Sequence, residues 1–142
     1  MKSKDLLIVG AGLVLGNWAL SLFGDDLLEV SEKAFRQRAN QGQRTTHPDY
    51  TIEAFADQIH ESLRYSMVAD NKDRAESLLK MMNNDMDVLA LITAYGRRQL
   101  RMFGLPDGNK KNLPETIASE LWANQIARVN KLYEERGIQH RW

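Results

Sequence analysis

The segment NNDMDVLALITAYGRRQL, residues 83–100, carries the clearest helical signal of the chain. Asparagine favours the first position of a helix, because its side-chain oxygen accepts a hydrogen bond from a backbone N–H that is otherwise unpaired. The sequence therefore predicts a helix that begins at Asn84. Its apolar positions recur at helical spacing and are Val88, Leu91, Ile92, Tyr95 and Leu100.

Working outward, similar patterns predict four more short helices between residues 49 and 138. Thr51 can cap the first helix, and Asp70 or Asn71 starts the second. Pro114 fits the first turn of a helix after the glycine-containing loop FGLPDGNKKN, and Gly137 ends the last helix. The apolar faces consist of Ile52, Phe55, Ala56, Ile59, Leu63, Met67, Ala75, Leu78, Leu79, Met82, Leu113, Ile117, Leu121, Ile126, Val129 and Tyr133. No stretch alternates as a half-buried strand does, so the predicted fold class is all-α.

The composition excludes several classes of function. The chain has 142 residues, with 19 basic and 19 acidic side chains and no cysteine. A balanced charge gives no global attraction to nucleic acid, so specific nucleic-acid binding is not expected. Without cysteine there is no disulfide, no thiolate metal site and no cysteine nucleophile.

Residues 6–24, LLIVGAGLVLGNWALSLFG, are nineteen positions without a charge. As a helix they would reach roughly 28 Å, close to the thickness of a bilayer core. Leu22 and Phe23 stand where a cleavable signal needs small residues, so a retained anchor is favoured over a signal peptide. A helix buried in protein or in an oligomer core is the other alternative. The predicted anchor residues are Leu6, Ile8, Val9, Leu13, Leu15, Trp18, Leu20 and Phe23.

The anchor is interpreted as a single transmembrane pass in a bacterial envelope or in the internal membrane of a virion. Gly12 and Gly16 form one small-xxx-small pair that could bring two such helices together. Basic residues flank both ends of the segment, and they slightly favour a cytoplasmic amino terminus.

The chain is accordingly divided into three parts. Residues 1–24 are the hydrophobic helix, and residues 25–48 are an amphipathic stalk helix ended by Gly42 and followed by a linker. Residues 49–142 form a compact bundle of about five short helices.

Residues 52–136 resemble a single annexin repeat. The resemblance rests on AFADQIHESL, LLKMMNNDMDVLALITAYG, LPETIASEL and QIARVNKLY, in that order. It implies the fold of one repeat more than an activity. Annexins bind calcium through a Gly-x-Gly-Thr loop, whereas this chain has YSMVADNKD there, so no calcium or other metal site is expected.

A muralytic enzyme is an alternative that the acidic residues raise. Glu61 precedes Asp70, and Glu76 precedes Asp85, by the first spacing of the phage-lysozyme pattern, but neither pair has the threonine that follows. Either glutamate would be the general acid. The three histidines are far apart, and no phosphate loop or dinucleotide fingerprint occurs, so no cofactor is expected.

One basic stretch could face phosphate or lipid head groups. It contains Arg97, Arg98, Arg101, Lys110 and Lys111, and the alternative interpretation is a solvated rim. The terminal Trp142 is either packed against the domain or presented to a partner.

The sequence thus favours a non-enzymatic, membrane-anchored structural or assembly protein whose helical domain docks on a protein partner. A minor membrane protein of a lipid-containing bacteriophage, or of a bacterial envelope complex, would fit that description. Homo-oligomers are compatible with it. A muralytic enzyme and a lipid-head-group-binding module are the alternatives.

Overall fold

The computed structural model describes residues 27–64, 69–102 and 105–142. These residues are mostly helical, as predicted, and they contain six helices and one two-stranded hairpin. In chain order the elements are α1 (Leu27–Asn40), α2 (Asp49–Leu63), α3 (Ala69–Leu79), α4 (Asp85–Tyr95), β1 (Arg98–Met102), β2 (Leu105–Lys111), α5 (Leu113–Glu120) and α6 (Ala123–Glu135).

Helix α4 is the central element of the fold. It packs against α2 on one side and against α1 on another. Apolar residues cover almost its whole circumference, and Val88, Leu89, Leu91 and Ile92 are fully buried. A helix that is apolar all round has to lie inside a protein.

Local end signals place most of the helices where the sequence predicts them. The Asn84 side chain accepts a hydrogen bond of 2.8 Å from the Asp87 backbone N–H, so it caps α4 as predicted. Pro114 lies in the first turn of α5, behind a reciprocal cap between Asn112 and Glu115. Helix α2 begins earlier than predicted, at Asp49, so Thr51 lies inside the helix and Pro48 holds the capping position without a side-chain cap.

The hairpin corrects the prediction of helices throughout. The sequence predicts that the helix after Asn84 includes Leu100 and that a loop follows, whereas α4 ends at Tyr95 and β1 pairs with β2 in antiparallel register. Gly96 has a φ of 59°, a conformation that glycine reaches at little steric cost, and it turns the chain out of α4. The Arg101 N–H then donates to the Arg64 carbonyl (3.1 Å), which fixes the hairpin beside the end of α2.

Helix α1 is part of the folded body. The sequence pattern predicts a stalk over residues 25–41. In the structure, Leu27 and Ala34 are buried against Met86 and Leu89 of α4. An apolar stripe on a helix predicts that the helix packs against another apolar surface, and here that surface belongs to α4. The proposed anchor, residues 6–24, lies outside the described residues. Among the described residues no helix is both long enough and apolar enough to span a bilayer.

Candidate functional site

The amino-terminal end of α4 is a buried polar junction. Asp87 is fully buried, and its carboxylate accepts hydrogen bonds from the Thr46 backbone N–H (2.7 Å), the Thr46 hydroxyl and the Asn83 backbone N–H (2.9 Å). His47 joins the same junction through Nε2, which lies 2.7 Å from the Met81 carbonyl oxygen. A buried carboxylate that satisfies three donors holds the segment between α1 and α2 in place, so its work is structural.

The carboxyl-terminal tail is attached at the same end of α4. The Asp85 carboxylate accepts from the backbone N–H groups of Gln139 (3.0 Å) and His140 (3.3 Å). Trp142 is only 6% exposed, belongs to the main apolar cluster, and pairs through its backbone N–H with Asn130 (2.9 Å). Trp142 is therefore packed against the domain in the structure and not presented to a partner.

Neither glutamate that could serve a muralytic mechanism lies in a suitable environment. The Glu76 carboxylate accepts two hydrogen bonds from Arg128 (2.8 and 2.7 Å) and lies 2.8 Å from the Lys80 ammonium. The Arg128 hydrogen bond, aided by Lys80, lowers the pKa of Glu76 to about 2 against the opposing effect of burial. A general acid has to be protonated near neutral pH, whereas a carboxyl group with this pKa is ionised there. Glu76 therefore does not suit that role. The Glu61 side chain is 66% exposed and pairs with Arg64 (3.3 Å).

The histidines do not form a metal site. Burial, and next to it the charge of Arg98, lowers the pKa of His60, whose ring packs edge-on against Tyr95 with 6.1 Å between the ring centroids. His47 and His140 lie at other places in the fold, as described above. In the part of the chain that the structure describes, no group of three or more histidine, aspartate or glutamate side chains is placed to hold a metal ion.

The predicted basic stretch is divided by the hairpin into two groups. Arg98 is used internally, because its guanidinium donates to Asp57 (2.8 Å) and to the Tyr95 carbonyl (2.9 Å). Lys111 is half-buried, with Nζ 3.4 Å from the Ser119 hydroxyl.

The other three cations of that stretch are exposed, although the Arg97 guanidinium also donates to the Lys110 carbonyl oxygen (3.2 Å). Arg97 and Lys110 lie at the base of the hairpin and Arg101 lies farther along β1, while Leu105, which pairs with Met102, is 69% exposed. These four residues are called the hairpin surface below. The sequence predicts its cations, but it does not predict the exposed leucine among them.

A groove opens where α1, α2 and α4 meet. Its cavity volume is about 210 Å³. Two exposed carboxylates of α2, Asp49 in the first turn and Glu53 one turn later, lie beside apolar and small side chains. The lining residues, called the acidic groove below, are Phe35, Asp49, Ile52, Glu53, Ala90, Thr93 and Ala94.

The sequence does not predict the acidic groove, because residues 25–41 are interpreted there as a stalk that stands apart from the helical body. Phe35 of α1 forms one wall, so the groove exists only when α1 packs on α4. The α1 stripe that contains Phe35 was the available signal, since an amphipathic helix needs a surface to cover.

A second cavity, of about 250 Å³, lies beside the amino-terminal end of α4. It is lined in part by Arg44 and Arg136, whose guanidinium groups donate to the backbone carbonyls of Ala39 (2.9 Å) and Met82 (2.8 Å). These arginines bond the protein's own backbone, and the cavity contains Asp85 as well, so it is a poor anion site.

The predicted anchor residues and the Gly12–Gly16 pair lie outside the described residues. Comparison of the chain with protein-family models, with characterised proteins and with solved structures finds no match. The annexin-like repeat over residues 52–136 therefore stays a prediction, and function has to be inferred from the geometry of the molecule itself.

Proposed function

We propose that this chain is a non-enzymatic, membrane-tethered assembly protein whose helical body binds a protein partner through the acidic groove. The observation that supports this most is an apolar cavity bordered by two carboxylates near the start of α2. Asp49 and Glu53 are one helical turn apart and form no ion pair with any described residue.

The size of the groove favours a protein side chain over a small-molecule substrate. Sites for cofactors and drug-sized ligands enclose roughly 300–1,000 Å³. The acidic groove has about 210 Å³, which suits one or two side chains of a docked segment.

The negative charge of the groove indicates which side chains that docked segment carries. Like charges at i and i+4 on a helix repel each other by a few tenths of a kcal/mol. A partner that carries a cation next to an apolar side chain would relieve this repulsion and cover the partly exposed Phe35 and Ala90 at the same time. We therefore infer an occupant of mixed apolar and basic character.

The uncharged segment 6–24 supplies the other half of the proposal. If it lies in a membrane, the body is confined to a thin layer of solution next to the lipid. Tethering of this kind raises effective concentrations to about the millimolar range, so a small contact is sufficient for assembly.

The proposal can be tested with a photo-crosslinking amino acid at Thr93, which is exposed and lines the groove. In native membranes we expect a discrete protein adduct that disappears when Glu53→Lys is added. The same probe at Lys131, an exposed position on α6, is the matched control. An adduct only with lipid, or a protein adduct that ignores Glu53→Lys, would overturn the proposal.

A second candidate function, binding of anionic lipid head groups, is favoured by the hairpin surface. A hairpin that carries an exposed leucine near one end and exposed cations along its strands can insert shallowly into a charged interface. Because the chain has no cysteine, an environment-sensitive dye can be placed at Leu105→Cys alone.

For the lipid function, the dye at position 105 should shift to the blue with vesicles containing phosphatidylserine, and the shift should be lost at high salt. Tyr50→Cys is the matched control, since Tyr50 is 74% exposed at the start of α2, whereas the hairpin is bonded to Arg64 beyond its end. A shift of equal size with neutral vesicles would exclude head-group recognition.

A further inference from the structure

We propose that His60 is a pH-sensitive switch, whose protonation loosens the attachment of the hairpin to α2 and α4. The switch consists of His60 and Asp57 of α2, Tyr95 of α4 and Arg98 of β1, which are called the hairpin joint below. The inference goes beyond the proposed function, because it requires no partner and does not involve the acidic groove.

Arg98 holds the base of the hairpin to both helices. Its guanidinium donates to the Asp57 carboxylate (2.8 Å) on α2 and to the backbone carbonyls of Tyr95 (2.9 Å) and Ala94 (3.4 Å) on α4. The guanidinium carbon also lies 5.0 Å from the centroid of the Tyr95 ring, within the range of a cation–π contact. Displacement of this one side chain therefore weakens all of these contacts together.

His60 packs against the same tyrosine ring, with 6.1 Å between the ring centroids. Its Nδ1 atom is buried, and no described residue provides a hydrogen-bond partner for it. A neutral imidazole carries a hydrogen on one nitrogen only, whereas the imidazolium carries one on each. Protonation therefore places an N–H at Nδ1 without an acceptor, and the attached hairpin disfavours the charged ring.

The charged groups around His60 act in both directions. Arg98 of β1 and Arg64 just after α2 oppose a further positive charge, whereas Asp57 and Glu61 of α2 favour it. Burial has the largest effect and Arg98 the next, so the pKa of His60 lies below its usual value of 6.5 when the joint is formed. Detachment of the hairpin removes Arg98 and admits water, so the imidazole then takes up a proton at a higher pH.

The sign of the pH effect follows from this difference between the two states. As the pH falls below about 6.5, the detached state binds the proton first, so acid shifts the equilibrium toward detachment. Above that pH the ring is neutral in both states, and the attachment has its full strength. Tyr95 stays uncharged throughout, because burial raises the pKa of its phenol.

The attachment can be measured at one backbone hydrogen bond. The Arg101 N–H of β1 donates to the Arg64 carbonyl (3.1 Å), so exchange of this amide with solvent requires the hairpin to move away. Exchange is followed in the full chain at pH 7.5 and at pH 5, with times scaled to the chemical exchange rate at each pH. We expect the protection of this amide to fall about threefold at pH 5, the size of a charge repulsion at a partly solvated site.

Two histidine variants make the test specific. His60→Gln keeps a neutral polar side chain and should remove the pH dependence of the Arg101 amide. His47→Gln is the matched control, since His47 packs against Phe55 and the Met81 carbonyl, away from the hairpin joint, and it should leave that dependence unchanged. Protection that falls equally in the wild type and in His60→Gln would overturn the inference.

A nuclear magnetic resonance titration measures the switch residue itself. The chain has three histidines, so the imidazole signal of His60 is identified as the one that His60→Gln removes. We expect its pKa to lie below 6.5, to rise in Arg98→Gln and to fall further in Asp57→Asn. Circular dichroism establishes that each variant is folded. A pKa above 6.5 in the wild type, or no rise in Arg98→Gln, would also overturn the inference.

Discussion

The two ends of α4 illustrate two uses of polar side chains. At the amino-terminal end, Asp87 is fully buried and satisfied by three donors, and Asp85 holds the carboxyl-terminal tail. At the other end the chain continues into a hairpin with the exposed cations Arg101 and Lys110, while Arg98 at its base is partly buried. Buried polar groups with complete hydrogen bonding define the fold, whereas exposed charge contributes little to stability. Four substitutions test this contrast.

The largest effect is expected from Trp142→Ala, which removes a nearly fully buried ring from the tail held by Asp85. Loss of a buried aromatic ring costs about 3–5 kcal/mol, because a cavity remains. Urea unfolding followed by far-ultraviolet circular dichroism measures the change. Trp122→Ala is the matched control, since Trp122 is 51% exposed and should cost less than about 1 kcal/mol. Equal losses for the two tryptophans would contradict the packed position of the tail.

Next in size is Asp87→Ala, which leaves the donors of Thr46 and Asn83 without their acceptor. Buried donors that lose a charged partner cost about 3 kcal/mol in free energy of unfolding. Asp49→Ala, an exposed aspartate one helix away, should change stability by less than about 0.5 kcal/mol. If chemical denaturation showed no difference between these variants, the junction at α4 would not be the structural end of the helix.

Glu76 is intermediate between a buried and an exposed polar group. Its side chain is 7% exposed, while that of its partner Arg128 is half exposed. The pKa of Glu76 is about 2 in the folded chain and 4.5 without the structure, so the unfolded state takes up the proton first as pH falls. Its contribution is complete above about pH 4.5 and decreases toward pH 2.

We expect Glu76→Gln to cost about 1.5 kcal/mol at pH 7, after allowance for solvent screening at Arg128. The wild type should then lose that advantage over the variant between pH 4.5 and pH 2, as measured by urea unfolding at each pH. A difference between the two proteins that stayed constant over this range would rule out the ion pair as its source.

The smallest effect is expected from Asp57→Asn, which weakens the pair with Arg98 at the base of the hairpin and leaves the Arg98 hydrogen bond to the Tyr95 carbonyl in place. The Asp57 side chain is 70% exposed, and ion pairs with one solvated partner contribute about 0–1 kcal/mol. Thermal unfolding should therefore shift only slightly. A loss of more than about 2 kcal/mol would mean that the hairpin is part of the structural framework, and the contrast with the other end of α4 would fail.

Local signals explain how much of the fold is predictable. Asn84, Pro114 and Gly137 act through their own backbone neighbours, so their positions in the sequence suffice to place helix ends. The hairpin is different, because Leu100 is the one buried residue among those of β1 whose burial is described. A single apolar position gives no alternation to recognise, and β1 is fixed instead by contacts with Asp57 of α2 and with Arg64 just after it.

The candidate site shows the same limit. The exposed cations Arg97, Arg101 and Lys110 are visible as a basic stretch. The acidic groove is not, because its walls come from three helices and depend on α1 lying against α4. Sequence patterns predict which face of a helix is apolar, but they do not say which neighbour covers it.

The position of α1 has a mechanical consequence. Any pull on the chain from residues before Leu27 enters the body through α1, whose grip on α4 is a small apolar cluster around Met86 and Leu89. Only after α1 has peeled away would the load reach Thr46 and the hydrogen bonds to Asp87. The weaker contact between α1 and α4 therefore breaks before the hydrogen bonds to Asp87. Separation of α1 would absorb part of the mechanical work before the central helix is loaded.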